Sequence, residues 1–173
     1  MMRTRLLTGS VVLLGLSATS CLNPPSYPET PSIEFKSIRA EKFSQSAGST
    51  PVYRPIITVT FKDGDGDLGI SEDLPSYDPP NDFNYFIDTY LRNPQTGEFE
   101  LLGGPGAFNS RFPPLAPNPD KKAPLKGDLN FEVRTSLLDV PSYTGAQMQF
   151  KLRIRDRALN ESNTITTSVL TLQ

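Results

Sequence analysis

The sequence predicts an all-β protein, an antiparallel β-sandwich of about seven strands. The first observation is that apolar residues recur with a period of two. This is clearest from Met148 to Arg155, where every even position is apolar and every odd position is polar. The second is that Gly, Pro, Asn or Asp bounds each alternating segment, while no window has the period of an amphipathic helix.

The predicted strands follow one another along most of the chain. They cover residues 33–38, 51–61, 83–91, 99–102, 129–137, 148–155 and 165–172. The turn sequence Asn93 to Gly97 predicts a hairpin between the third and fourth strands. Residues 103–127 contain six prolines and predict a long irregular connection, which crosses between the two sheets or covers one of them.

The N-terminus has the pattern of a secretory signal. MMRTR carries two arginines, LLTGSVVLLGL is apolar, and the small residues ATS precede Cys21. The apolar run is shorter than the roughly 20 residues that a membrane-spanning helix needs. Ala18 to Cys21 resembles the lipobox of bacterial lipoproteins, in which the cysteine receives a diacylglyceryl group. We therefore expect a signal peptide at 1–20 and a lipid on Cys21; an ordinary cleaved signal and an uncleaved anchor are the alternatives.

The mature chain divides into a tether and one domain. Residues 22–32 contain four prolines and little to bury, so 21–32 is predicted to be a lipidated cysteine with an extended tether. Residues 33–173 are enough for a single core. Cys21 is the only cysteine, so no disulfide is available. Stability must come from the core, from bound ions or from both.

Composition narrows the classes of function. The chain has 19 acidic and 17 basic residues, and two of the basic ones lie in the signal, which argues against nucleic acid as a partner. The sequence has no histidine, which removes the usual nucleophilic triads and zinc sites. Its acidic residues cluster in loops, without a tryptophan to support a sugar. We expect a protein that is not an enzyme.

The stretch FKDGDGDLGI, residues 61–70, is the best candidate for a binding site. Asp63, Asp65 and Asp67 alternate with glycines, and such carboxylates can converge on one calcium ion. The stretch is not an EF-hand, because the sixth position from Asp63 is Leu68 instead of glycine. Two interpretations remain, a calcium site and a solvated turn whose carboxylates accept backbone N–H groups.

A second polar loop is predicted to lie beside the first. If the strands are lettered as in an immunoglobulin-like sandwich, 51–61 is strand B, 83–91 is C, 147–155 is F and 164–172 is G. The B–C and F–G connections emerge at the same end of such a sandwich. Asp156 and Asn160 of the F–G connection are therefore candidates to complete the calcium shell, or residues that cap their own turn.

The segments DGDGDLG and RDRALNESN, behind a lipobox, resemble those of functionally unassigned bacterial envelope lipoproteins with an immunoglobulin-like domain. The resemblance covers most of residues 21–173 and implies a fold and a location, but no catalytic residues. Leu22 differs from the aspartate that retains some lipoproteins in the inner membrane, so we expect the outer membrane.

The sequence thus predicts a lipid-anchored envelope protein with a non-catalytic binding or assembly role, in which the acidic stretch is either a calcium site that stabilises the domain or a solvated turn. Its expected partners are the membrane, through Cys21, and an unknown envelope protein or glycan. A carbohydrate-binding accessory lipoprotein and a carboxylate-based hydrolase are the alternatives. Phe86 and Tyr90 share one side of their predicted strand. They form either an exposed aromatic strip for such a partner or a face covered by the proline-rich connection.

Overall fold

The structure is a computed structural model that describes residues 25–71, 83–118, 121–135 and 137–173. The predicted signal peptide at 1–20 and Cys21 lie outside the described residues. The elements are β1 (Ser32–Phe43), β2 (Val52–Asp63), β3 (Tyr85–Arg92), β4 (Phe99–Leu101), β5 (Leu125–Glu132), α1 (Val140–Tyr143), β6 (Gln147–Ile154), β7 (Ile165–Thr166) and β8 (Leu170–Thr171). No helix in these ranges is long and apolar enough to cross a membrane.

The strands form two antiparallel sheets, which confirms the predicted all-β sandwich. Sheet 1 has the order β1-β2-β5, and sheet 2 has the order β4-β3-β6-β7, with β8 also paired to β6. This division of the strands is that of an immunoglobulin-like fold. The rings of Tyr85 from sheet 2 and Phe131 from sheet 1 stack with centroids 3.7 Å apart, so the inner faces of the two sheets are in contact.

The period of two decides which side chains form the core. In β6 the even positions Met148, Phe150, Leu152 and Ile154 are at most 1% exposed, while Lys151 faces solvent. The prediction for this strand is therefore confirmed. Full burial of each such side chain contributes about 1.5 to 3 kcal/mol to folding. The inner face of β2, with Ile57 and Val59, packs against the same cluster.

The long connection between β4 and β5, residues 102–124 and here named the crossing, passes from sheet 2 to sheet 1. Ser110 of the crossing forms an isolated bridge with Tyr85 of β3, so this segment is held to sheet 2 before it reaches sheet 1. The turn between β3 and β4 closes through the bond from Gly97 N–H to the Asn93 carbonyl, as predicted.

The last predicted strand, 165–172, is interrupted. Thr167 is buried, and its hydroxyl accepts a hydrogen bond from the backbone N–H of Phe150 at 3.1 Å. In a regular β-ladder a backbone carbonyl of the neighbouring strand would accept this N–H. The strand therefore divides into β7 and β8. The sequence did not predict α1, because four residues are too few to display a helical period. Asp139 caps this helix, and its side chain accepts a hydrogen bond from the Ser142 N–H.

Candidate metal centre

The strand period places one carboxylate from each sheet at the same end of the sandwich. Asp63 is the last residue of β2, and it lies in phase with the buried Val59 and Phe61; its own exposure is 0%. Asp156 follows β6 in phase with Ile154 and is 3% exposed. Both aspartates thus occupy positions at which the alternation would otherwise put an apolar core residue.

Three aspartates converge in the acidic loop, residues 63–70. Asp63, Asp65 and Asp67 each offer a carboxylate oxygen within 4.8 Å of the others. Both oxygens of Asp63, and Oδ1 of Asp65 and of Asp67, have no hydrogen-bond partner among the described residues. A buried carboxylate without a partner is costly unless an opposite charge accompanies it. The Asp63–Asp65–Asp67 group could therefore hold a metal ion.

The electrostatics of the loop agree with this geometry. Burial, followed by the charges of Asp65 and Asp67, raises the pKa of Asp63 from 3.8 to about 6. The Gly66 amide offsets part of that rise without making a hydrogen bond of normal geometry. Burial, followed by the charge of Asp156, also raises the pKa of Asp67. The neighbouring negative charges thus make ionisation of Asp63 and of Asp67 harder, and a bound cation would offset this repulsion.

The N-terminal tether packs directly on this loop. A Cβ at Gly64 would overlap the backbone carbonyl oxygens of Tyr27 and Pro28. Pro31, further along the tether, is buried. The φ angle of Gly64 is not positive, and its role is steric, since only glycine leaves room for the tether at this point.

The crossing covers a second side of the loop. Gly66 has a positive φ of 73°, and a Cβ there would overlap the Ala123 carbonyl. Ala123 N–H donates to the Asp65 carbonyl at 3.0 Å. Lys122 Nζ lies 3.0 Å from Asp65 Oδ2, while 76% of the Lys122 side chain remains exposed. Sequence reasoning missed Lys122, because no local pattern links it to a loop 57 residues earlier.

The connection between β6 and β7, residues 155–164 and here named the F–G loop, closes a third side. Arg157 N–H donates to the Asp67 carbonyl at 3.3 Å, and Ala158 N–H donates to Asp67 Oδ2 at 3.1 Å. Leu68 also forms an isolated bridge with Asp156. The two polar loops therefore meet, as the sequence predicted from the order of the strands.

Asp156 and Asn160 have different positions relative to the three aspartates. The charge of Asp156 raises the pKa of both Asp63 and Asp67, so this carboxylate faces the acidic loop. Asn160 donates from its backbone N–H and from Nδ2 to the two oxygens of Asp156, at 2.7 and 2.9 Å. Leu159, with a φ of 70°, makes the turn that brings Asn160 back. Asn160 thus orients Asp156 through hydrogen bonds.

Comparisons with protein families, curated proteins and solved structures give no match to this chain. The fold and the site together define its class: an all-β sandwich with a buried group of aspartates at one end that could hold a metal ion.

Proposed function

We propose that the chain is a lipid-anchored protein of the cell envelope with a non-catalytic binding or assembly role, and that a calcium ion in the acidic loop stabilises it. The observation that carries the calcium assignment is the carboxylate of Asp63, which is fully buried and without a hydrogen-bond partner among the described residues.

The donor set favours calcium over other common cations. Calcium is bound by six to eight oxygens at about 2.3 to 2.6 Å in flexible geometry, whereas magnesium requires a strict octahedron and retains its water. The loop offers four carboxylate oxygens that have no hydrogen-bond partner in the described part of the chain, two of them on Asp63. Zinc favours nitrogen and sulfur ligands, and the chain has no histidine and only one cysteine.

The geometry of the aspartates supports a structural role for the ion. A glycoside hydrolase needs two carboxylates that flank a substrate bond within reach of solvent. Asp63 and Asp156 do face inward from the two sheets, but they are 0% and 3% exposed, which leaves no room for a sugar between them. A cation here would instead hold together the acidic loop, the tether that packs on Gly64 and the crossing that contacts Asp65.

The anchoring part of the proposal rests on the sequence around Cys21. Cys21→Ala should prevent incorporation of a labelled fatty acid and release the protein from the membrane fraction, while Asp63→Asn should leave both unchanged. Sustained labelling of the Cys21→Ala variant would disprove lipidation at this cysteine. Fractionation of the labelled wild type then distinguishes the expected outer membrane from the inner membrane.

A calcium titration of the purified protein tests the cation site. After chelation, calcium at 100 times its Kd should stabilise the folded state by roughly 2.7 kcal/mol through mass action. For a domain of this size, the melting temperature should then rise by roughly 5 to 10 °C. Magnesium should have a much smaller effect.

Two variants make the titration specific. Asp65→Asn should weaken the calcium response, since it removes one charge of the group. Glu98→Gln removes the same charge at an exposed position of the β3–β4 turn and should leave the response intact. A chelated wild-type protein whose melting does not change in millimolar calcium would refute the cation site.

A further inference from the structure

Strand β5 lies at the end of sheet 1 and pairs only with β2 among the described strands. Two backbone bonds show which of its residues face β2. Val133 N–H donates to the Pro55 carbonyl at 2.8 Å, just beyond one end of β5. Ala123 N–H donates to the Asp65 carbonyl at 3.0 Å, just before the other end. Because hydrogen-bonded and non-hydrogen-bonded pairs alternate along an antiparallel ladder, the odd positions of β5 bond to β2. The even positions direct their N–H and C=O groups to the opposite side, here named the β5 edge: Lys126, Asp128, Asn130 and Glu132.

The backbone groups of the β5 edge make no hydrogen bond within the part of the chain that the structure describes. Other strands at the sides of the sheets are short or irregular. Strand β4 has three residues, and the register of β1 shifts between Phe35 and Ser37. Strand β5 has eight residues in an unbroken register with β2. Long, regular edges are the ones to which another chain can add, so the β5 edge is suited to accept a further strand.

The crossing forms a floor beside this edge. Tyr85 of β3 stacks on Phe131 of β5, so β3 lies beneath β5. Ser110 of the crossing exchanges backbone bonds of 2.9 and 3.0 Å with Tyr85, on the side of β3 opposite β6. The crossing therefore continues the layer of sheet 2 beyond β5 by about one strand spacing, roughly 4.7 to 4.9 Å.

A groove lies between this floor and the β5 edge. Its volume is about 470 Å³, and Asn130 and Glu132 line one side of it. Phe108, Pro113 and Leu115 of the crossing line the other side. An added strand would complete the hydrogen bonds of the β5 edge and direct alternate side chains onto these apolar residues. The position is that of the fourth strand in the A-B-E-D sheet of an immunoglobulin-like sandwich, in which β1, β2 and β5 are the first three.

The side chains of the β5 edge indicate the charge that a partner should carry. Asp128 pairs with Lys36, and Glu132 pairs with Arg54. Lys126 is exposed and makes no ion pair among the described residues. Opposite charges on neighbouring strands stabilise their pairing. An added strand should therefore carry an acidic residue beside Lys126.

We propose that the β5 edge and its groove bind an extended segment of another protein. The segment adds to sheet 1 as an antiparallel strand, with apolar residues toward the crossing and an acidic residue beside Lys126. The inference rests on the proposed binding role and names its partner class, but it depends on neither calcium nor the lipid. A second copy of this chain fits less well, because its own sheet 2 would have to occupy the layer that the crossing fills.

Short peptides of alternating threonine and valine, with a C-terminal glutamate in phase with the threonines, are suitable probes for the purified full-length protein. In the added strand, residues whose side chains face away from the crossing direct their N–H groups to β5. The threonines should occupy these positions, because the valines pack on the apolar floor. N-methylation of the threonines should therefore prevent binding, whereas N-methylation of the valines blocks only the outer edge of the peptide.

Amide hydrogen exchange and chemical shifts of the isotope-labelled protein report the binding. Without peptide, the N–H groups of Asp128 and Asn130 should exchange faster than those of Leu129 and Phe131, which bond to β2. The valine-methylated peptide should bind saturably and slow exchange at the β5 edge. The threonine-methylated peptide should bind at least tenfold more weakly. Equal binding of the two peptides, or no saturable binding of either, would overturn the proposal.

A matched pair of proline variants locates the binding. Asn130→Pro removes an N–H of the β5 edge but no bond to β2, and should raise the Kd of the valine-methylated peptide tenfold or more. Leu101→Pro removes an outward N–H from β4 of sheet 2 and should change this Kd less than twofold. Equal effects of the two variants would contradict the assigned site.

The charge of the partner is tested with a second peptide, in which glutamine replaces the C-terminal glutamate. The wild type should prefer glutamate, and Lys126→Gln should lose this preference. A preference that persists in Lys126→Gln would show that the assigned strand register is wrong. Binding is measured in calcium and in chelator. A failure of the calcium site or of lipidation is therefore seen separately, in the melting and labelling experiments.

Discussion

Replacement of Asp63 by asparagine should have opposite effects with and without calcium. The carboxylate is fully buried, and its pKa is raised from 3.8 to about 6 by burial and by the charges of Asp65 and Asp67. Each unit of such a shift corresponds to about 1.4 kcal/mol. Without a cation at pH 7, the ionised carboxylate therefore costs the folded state on the order of 2 to 3 kcal/mol.

Asp63→Asn removes this cost and keeps the size of the side chain. The new amide can donate to the Oδ1 atoms of Asp65 and Asp67, which have no other partner in the described residues. In chelator we therefore expect the variant to melt higher than the wild type, by roughly 4 to 10 °C for a domain of this size. Calcium should stabilise the wild type and leave the variant unchanged, so that the difference closes or reverses.

Thermal melts by circular dichroism, in chelator and in a calcium series, measure both effects on the same samples. Glu98→Gln is the control for loss of one negative charge, since Glu98 is exposed. If Asp63→Asn melts at a lower temperature than the wild type in chelator, the ionised carboxylate of Asp63 does not destabilise the cation-free fold. A full calcium response in the variant would show that the ion binds elsewhere.

Three further predictions concern the core and the pH dependence. Phe150→Ala should cost about 3 to 5 kcal/mol in urea unfolding, and Lys151→Ala on the opposite face less than about 1 kcal/mol; similar costs would contradict the strand register. Tyr85→Phe should leave the melting temperature unchanged or raise it, because the hydroxyl is buried without a partner in the described residues; a clear loss of stability would point to a hydrogen bond at that hydroxyl. In chelator, the stability associated with protonated Asp63 is fully present below pH 3.8 and is lost as the pH rises through about 6. The melting temperature in calcium minus the melting temperature in chelator should therefore become smaller from pH 7 to pH 5. A difference that does not change with pH would exclude Asp63 as a ligand.

Much of the fold could be predicted from the sequence, because period-two alternation is a direct consequence of strand geometry. The alternation located β6 and fixed which of its faces is buried. It also contained a signal that was not used, since Asp63 continues the inward phase of Phe61, and Asp156 continues that of Ile154. An aspartate at the end of a strand, at a position that continues the inward-facing alternation, indicates a buried carboxylate. The Asp–Gly composition of a turn does not by itself indicate burial.

The surroundings of the acidic loop could not be predicted in the same way. Contacts of Gly64 with Tyr27, and of Asp65 with Lys122, join segments that are far apart in the chain and carry no shared pattern. Asp–Gly repeats indicate a turn whether or not other segments of the chain pack on it. In this protein, the segments that pack on the acidic loop exclude water from Asp63. The role of Asn160 was equally open, because an asparagine offers both a ligand oxygen and an amide donor.

The arrangement of these contacts explains why a cation suits this chain better than a disulfide would. Asp67 contacts the F–G loop, 91 residues later, and Gly64 contacts the tether. A cysteine pair could join two such segments permanently, but the chain has a single cysteine. A cation bound by Asp63, Asp65 and Asp67 would fix the loop on which the tether, the crossing and the F–G loop pack. Its contribution to stability would depend on the free ion concentration by mass action. The packing of the tether on the domain would then depend on the calcium of the compartment that the domain faces, which no disulfide would achieve.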